Sequence, residues 1–131
     1  MLQADYISFD TAKLAKKAGY TGNTDRIYDR NGVMLIGSVN DDPRNRRCIP
    51  CPTAASLARW VYMNMNMYVE VRIMFLTNMP PDRYMPYLYD LDYMGMLPRD
   101  TSEPWYFASP DEALEYGLVK AMKYVMCKKK V

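Results

Sequence analysis

The stretch PCPTAASLARWVYMNMNMYVEVRIMFL, residues 50–76, decides the fold class. Its first part, PTAASLARWVYMN, opens on a proline, which fits the first turn of a helix because the N–H it lacks has no partner there anyway. Ala54, Leu57, Ala58 and Val61 recur at offsets of three and four, so they share one helix face while Arg59 points away from it. The segment YVEVRIMFL follows almost directly. Val69, Val71, Ile73 and Phe75 fall on one side of a strand, with Tyr68, Glu70, Arg72 and Met74 on the other. A helix and a strand that each carry one apolar face, joined by a short connection, predict a packed α+β core.

Toward the amino end, Ser8 caps a helix over FDTAKLAKKA, and Gly19 supplies its left-handed stop. Asp10 near its start and Lys16 and Lys17 near its end complement the helix dipole. DRIYD and VMLIG are separated by Arg30-Asn31-Gly32, and Asn-Gly between apolar runs predicts a hairpin with both residues at positive φ. Residues Ser38 to Cys51 carry prolines, turn formers and charges without periodicity, which reads as a loop.

Toward the carboxyl end, the two prolines of TNMPPDR close the central strand. YMPYLYDLDYMGM alternates again and reads as one further strand, with Tyr87, Tyr89, Leu91 and Tyr93 on one face and Leu88, Asp90, Asp92 and Met94 on the other. It is expected to pair antiparallel with the strand before it. After the polar loop LPRDTSEPWYFA, Ser109, Pro110 and Glu112 mark a capped helix start. Ala113, Leu114, Gly117, Leu118, Ala121 and Val125 form its buried stripe. The order α-β-β-α-β-β-α predicts a two-layer α+β sandwich, an antiparallel sheet of about four strands with helices packed on one face. All 131 residues are expected to form one domain ending in a basic tail, residues 128–131.

Hydrophobic residues make up 50% and charged residues 24%, ordinary globular usage that argues against disorder. Three of the 17 basic residues are Lys128, Lys129 and Lys130, and without them the 15 acidic residues outnumber the basic by one. A near-neutral body does not present the basic face of a general nucleic-acid binder, so nucleic acid is not an expected partner. No apolar run approaches the roughly 18 to 20 residues that span a bilayer, and MLQADYISF lacks the pattern of a secretory signal. Three cysteines fit a reducing compartment, and a cytoplasmic location follows as the expectation. The absence of histidine excludes Ser-His-Asp and Cys-His catalysis and His-ligated zinc or iron. Nothing in the sequence calls for a cofactor.

The spellings ISFDTAKLAKKAGY, DRIYDRNG, CPTAASLARWV and SPDEALEYGLVKAM, in this order, resemble a family of small proteins encoded by tailed phages and prophages of gut anaerobes. The similarity covers most of the chain. Its most specific pieces are the P-T-x-x-S-L-x-x-W helix start and the E-A-L-E-x-G-L final helix, while Cys48 and Cys51 are not part of the shared pattern. The family has no assigned catalytic or ligand residues, so the resemblance implies a phage context inside the host cell and assigns no site. Small non-enzymatic phage proteins often act against host defence, by blocking a defence protein or by sequestering its nucleotide signal.

Three groups of residues are candidates for chemistry. Cys48-Ile49-Pro50-Cys51 is a C-x-x-C ahead of a helix, readable as a redox pair or as two loop thiols, with Cys127 as a third thiolate too few for zinc. Asp90 and Asp92, two apart on the alternating strand, would project from one face as magnesium ligands of a phosphodiesterase, or else pair across the sheet with Arg72 beside Glu70. Arg44, Arg46 and Arg47, with Arg59, Trp60 and the helix start at Thr53, form the best binding constellation, because guanidinium forks and free helix N–H groups both suit phosphate. Tyr87, Tyr89, Tyr93, Trp105 and Tyr106 could supply rings on which a base stacks. The plainer alternative is a solvated basic loop, aromatic rings in the core and a frayed lysine tail. The sequence therefore points to a non-enzymatic accessory protein, expected as a homo-oligomer, that binds a nucleotide-type small molecule or a host defence protein.

Overall fold

The computed structural model describes residues 6–39, 47–74, 83–98 and 106–128. Its elements run α1 (Phe9–Lys17), β1 (Arg26–Tyr28), β2 (Met34–Ile36), β3 (Ile49–Pro50), α2 (Ala54–Met65), β4 (Met67–Met74), β5 (Arg83–Asp90), β6 (Gly95–Met96) and α3 (Pro110–Lys128). This is the expected α+β mix with antiparallel pairing. The strands are divided between two sheets of three, ordered β2-β1-β3 and β4-β5-β6, where the sequence suggested about four in one. The two extra strands, β3 and β6, are two residues each and too short to show periodicity. The chain falls into two compact units, Met1–Trp60 and Val61–Val131, with the division inside α2.

In the first unit, Ser8 Oγ accepts from the Thr11 N–H, capping α1 as its sequence requires. Gly19 at φ 100° ends it, and bonds from Tyr20 N–H to the Ala15 carbonyl and from Gly19 N–H to the Lys16 carbonyl complete a Schellman stop. The β1–β2 hairpin is present, but only Gly32 takes positive φ, at 82°. Its N–H returns to the Asp29 carbonyl at 3.1 Å, so Arg30 to Gly32 form a three-residue loop instead of a two-residue Asn-Gly turn. The reason is Asp29, whose Oδ1 accepts from the N–H groups of Asn31 (2.8 Å) and Val33 (3.0 Å) and holds the wider loop. Ile7, Ala12, Ala15, Ile27, Tyr28, Cys51, Ala54 and Leu57 are buried in this unit.

In the second unit β4 and β5 pair over their full lengths, from Met67↔Asp90 to Met74↔Arg83. Met67 and Val69 are buried and Tyr68 and Arg72 exposed, as alternation requires, although Ile73 on the apolar side is also exposed. The second alternating run departs from its reading. β5 stops at Asp90, residues 91–94 turn, and Met94 at φ 62° reverses the chain into β6. Tyr93 and Asp92 therefore leave the strand faces assigned to them. α3 packs on β4 and β5, and Gly117 leaves no room for a side chain between them: a Cβ there would lie 2.5 Å from Val69 Cγ1 and 3.0 Å from Pro86 Cβ. The α3 stripe is buried as expected, with Met122 added and Leu114 only half-buried. No helix among the described residues is long and apolar enough to cross a membrane.

Candidate functional site

Of the described residues of the arginine and aromatic constellation, Arg47, Thr53, Arg59 and Trp60 belong to the first unit and Tyr87, Tyr89, Tyr93 and Tyr106 to the second. Arg44, Arg46 and Trp105 lie outside the described residues. Arg47 is exposed in the turn before β3, and Arg59 is exposed on α2. Trp60 is half-buried with its ring edge-to-face against Tyr20, centroids 5.3 Å apart, which is a packing role. Tyr87 and Tyr89 belong to β5 in the second unit. The Arg72 guanidinium stacks 4.4 Å from the Tyr87 ring and donates at 2.7 Å to the Tyr89 hydroxyl, which in turn donates to Glu70 Oε2 at 2.9 Å. The Arg72 hydrogen bond, followed by that from Tyr89, holds the Glu70 carboxyl below its ordinary range, and the bond to Glu70 raises the Tyr89 phenol. Tyr106 is likewise engaged, with the Arg83 guanidinium 4.3 Å from its ring.

Among the described residues of the constellation, Thr53 lines a cleft. The helix α2 begins there because Thr53 Oγ1 accepts from the Ser56 N–H at 3.1 Å and its carbonyl from the Leu57 N–H at 3.0 Å. Helix geometry leaves the N–H groups of Ala54 and Ala55 without an intrahelical acceptor, at the positive end of the helix dipole. The cleft at this point holds about 590 Å³ and is lined by Asn23, Thr24, Asp25, Ile36, Gly37, Pro52, Thr53 and Ser56, all in the first unit. Asp25 accepts from the Tyr6 hydroxyl (3.2 Å) and pairs with Arg26 (3.5 Å). Burial, helped by the Asp25 bond, raises the Tyr6 phenol above its ordinary value. The cleft lining thus combines a helix start and hydroxyls with a carboxylate. Sequence reading found Thr53 but not Asn23, Thr24 or Asp25. The polar run TGNTD was the available signal, and its closeness to Thr53 depends on pairing distant in sequence, from Tyr6 to Thr53 and from β1 to β3.

The two aspartates do not form a metal pair. Asp90 is 1% exposed and both its oxygens are occupied. Oδ1 accepts from the backbone N–H groups of Asp92 (3.0 Å) and Tyr93 (3.2 Å), and Oδ2 from the Tyr124 hydroxyl (2.7 Å) and Lys128 Nζ (2.9 Å). The Tyr124 and Lys128 bonds pull its pKa down to about 2, and they raise those of Tyr124 and Lys128 in return. Asp92 is exposed in the turn and accepts from Asn66 Nδ2 at 3.1 Å. The alternative pairing of these aspartates with Arg72 is also corrected, since the carboxylate held by Arg72 is that of Glu70, at 3.0 Å. Lys128 is not part of a frayed tail but the last residue of α3, held by Asp90; Lys129 and Lys130 lie outside the described residues. No group of three or more His, Cys, Asp or Glu among the described residues could hold a metal ion.

Cys51 is fully buried with its thiol directed at the Ile7 carbonyl, 3.6 Å away, whereas Cys48 is half-buried and Cys127 exposed. All three are free thiols. A buried thiol held by a backbone carbonyl lacks the electropositive, accessible setting of a redox cysteine.

No family model matches the chain, and neither the curated proteins nor the solved structures include a significant match to it.

Proposed function

We propose that the protein is a non-enzymatic phage accessory protein that acts against host defence by sequestering a nucleotide-type signal, held in the cleft at the start of α2. The observation that carries the reading is the cleft itself, about 590 Å³, a size within the usual range for small-molecule sites. A phosphate would lie at the Thr53 end, where N–H groups and the helix dipole favour an anion. Asp25 would accept from ribose hydroxyls or base N–H groups, and Ile36 offers an apolar surface to a ring. A carboxylate beside an anion-attracting helix start suits a ligand with both acceptor and donor groups, not an inorganic anion. The phage context rests on the resemblance carried by residues such as CPTAASLARWV.

Isothermal titration against cyclic and ADP-ribose-derived nucleotides tests this reading. Saturable heat with at least one of them, weakened about tenfold or more by Asp25→Asn, is the expected outcome. Absence of heat across the panel overturns it.

A second reading, a module that inhibits a host protein without a small ligand, is favoured by one observation in the second unit. Tyr62, Tyr68 and Tyr89 form a chain of rings, centroids 6.2 Å and 6.0 Å apart, and Tyr62 and Tyr68 are exposed. Tyrosine, methionine and arginine are the residues enriched at the centres of protein interfaces. A stoichiometric partner retained from host lysate, and lost on Tyr68→Ala, would select this reading over sequestration.

A further inference from the structure

The run Val33-Met34-Leu35-Ile36-Gly37 sits at the edge of the first unit's sheet, since β2 has β1 as its sole strand neighbour among the described residues. It contains no charge and no proline. Val33, Met34, Leu35 and Ile36 are 51%, 40%, 42% and 81% exposed, so apolar side chains on both faces of the strand meet solvent. Natural edge strands are ordinarily protected by lysine, proline, a bulge or a covering element. This one has neither of the protective residues.

The hydrogen-bond alternation shows which backbone groups are open. Asp29 N–H donates to the Val33 carbonyl at 3.0 Å, and Gly37 N–H to the Asp25 carbonyl at 3.0 Å. These are two hydrogen-bonded positions of the β1–β2 ladder, so the position midway, Ile27↔Leu35, is the third. Met34 and Ile36 fall between them and direct their N–H and C=O groups outward, away from β1.

We propose that β2 pairs antiparallel with β2 of a second copy of this chain, about a two-fold axis at Leu35. In that register Met34 stands opposite Ile36 of the second copy, and Ile36 opposite Met34 of the second copy. Each is an outward-facing pair and exchanges both of its bonds, so all the open groups of the strand are satisfied at once. Leu35 faces itself at the non-bonded position, where side chains approach most closely. Centring the axis on Met34 would set Ile36 against Gly32, which at φ 82° is no longer extended. The chain's own strand thus matches the edge in length, in register and in lack of charge, and the isologous contact closes at two copies. Joining the sheets gives six strands in the order β3-β1-β2-β2-β1-β3.

Three residues on each side bury less than the roughly 1,200 Å² of a stable interface, so the dimer is weak, with Kd in the range of about 10–1,000 μM. Sedimentation equilibrium of the full chain over that range is the test. The expected result is a shift from monomer to dimer that Met34→Pro abolishes. Proline at Met34 removes an outward N–H and leaves the ladder to β1 intact. Leu35→Lys sets two ammonium groups against each other at the axis and is expected to give the same loss, which decides the matter if the proline variant does not fold. Hydrogen exchange adds a local readout, since the Met34 and Ile36 amides should gain protection as concentration rises. A wild-type chain that stays monomeric throughout overturns the proposal, as does a dimer that persists in both folded variants. So does an edge that takes up an unrelated apolar strand peptide while the chain remains monomeric. Neither Met34 nor Leu35 lines the cleft at Thr53.

Discussion

Lys128 Nζ lies 2.9 Å from Asp90 Oδ2, so the last turn of α3 is tied to the residue where β5 ends and the β5–β6 turn begins. The Tyr124 hydroxyl reaches the same oxygen from one turn earlier on the helix, at 2.7 Å. Asp90 is thereby the common acceptor for a helix and a turn, and its charge is balanced inside the second unit.

This arrangement sets an acid limit on stability. Asp90 has a folded pKa of about 2 against an ordinary value of 3.8, so its contribution is present above pH 4 and is lost as pH falls toward 2. Tyr124 and Lys128 are shifted upward, so their contribution is lost in the opposite direction, as pH rises beyond their ordinary values of 10.0 and 10.5. Asp90→Asn should cost about 2 kcal/mol at pH 7. Urea melts followed by circular dichroism should show the gap between variant and wild type narrowing from pH 5 to pH 2. A gap that stays constant over that interval would show that the carboxylate charge contributes nothing.

Gly117 should tolerate no side chain. Its position permits α3 to approach Val69 and Pro86, and a methyl group there would force the helix off the sheet. Gly117→Ala gains helix propensity of up to about 1 kcal/mol, but overpacking costs about 1–3 kcal/mol, so net destabilisation is expected. Thermal melts of Gly117→Ala and Gly117→Val should fall in that order below wild type.

Thr53→Ala removes the cap of α2 and should cost about 1 kcal/mol, while Thr53→Ser, which keeps the hydroxyl that accepts from Ser56 N–H, should cost little. If the cleft binds an anion through the helix start, titration of Thr53→Ser should remain close to wild type and that of Thr53→Ala should weaken.

The three thiols should label in order of exposure. Cys127 should react with iodoacetamide first, Cys48 more slowly and Cys51 only on unfolding, because only Cys51 is buried against a backbone carbonyl. Mass spectrometry of timed alkylation reads this directly. Rapid labelling of Cys51 in the folded protein would contradict the packing around Ile7.

Local chemistry alone determined a good deal of this protein. The caps at Ser8 and Ser109, the stop at Gly19, the apolar stripes of α2 and α3 and the antiparallel pairing of β4 with β5 all depend on residues within a few positions of one another or on simple periodicity, so they were legible in the sequence, whereas α2 starts at a Thr53 cap that follows the proline read as its first turn. Tertiary structure decided the rest. Alternation from Tyr84 to Met96 looked like one strand, because a hairpin keeps the same period while reversing direction; Asp90 ends β5 by spending its Oδ1 on the turn and its Oδ2 on α3, 34 and 38 residues away. The cleft at Thr53 likewise needed Asp25 and Ile36 brought to the start of a helix that begins at Ala54, 29 and 18 residues later in the chain. Short-range rules fix where helices start and which side of a strand is apolar, whereas the partner of a buried charge depends on the packing of whole elements, which no local spacing encodes.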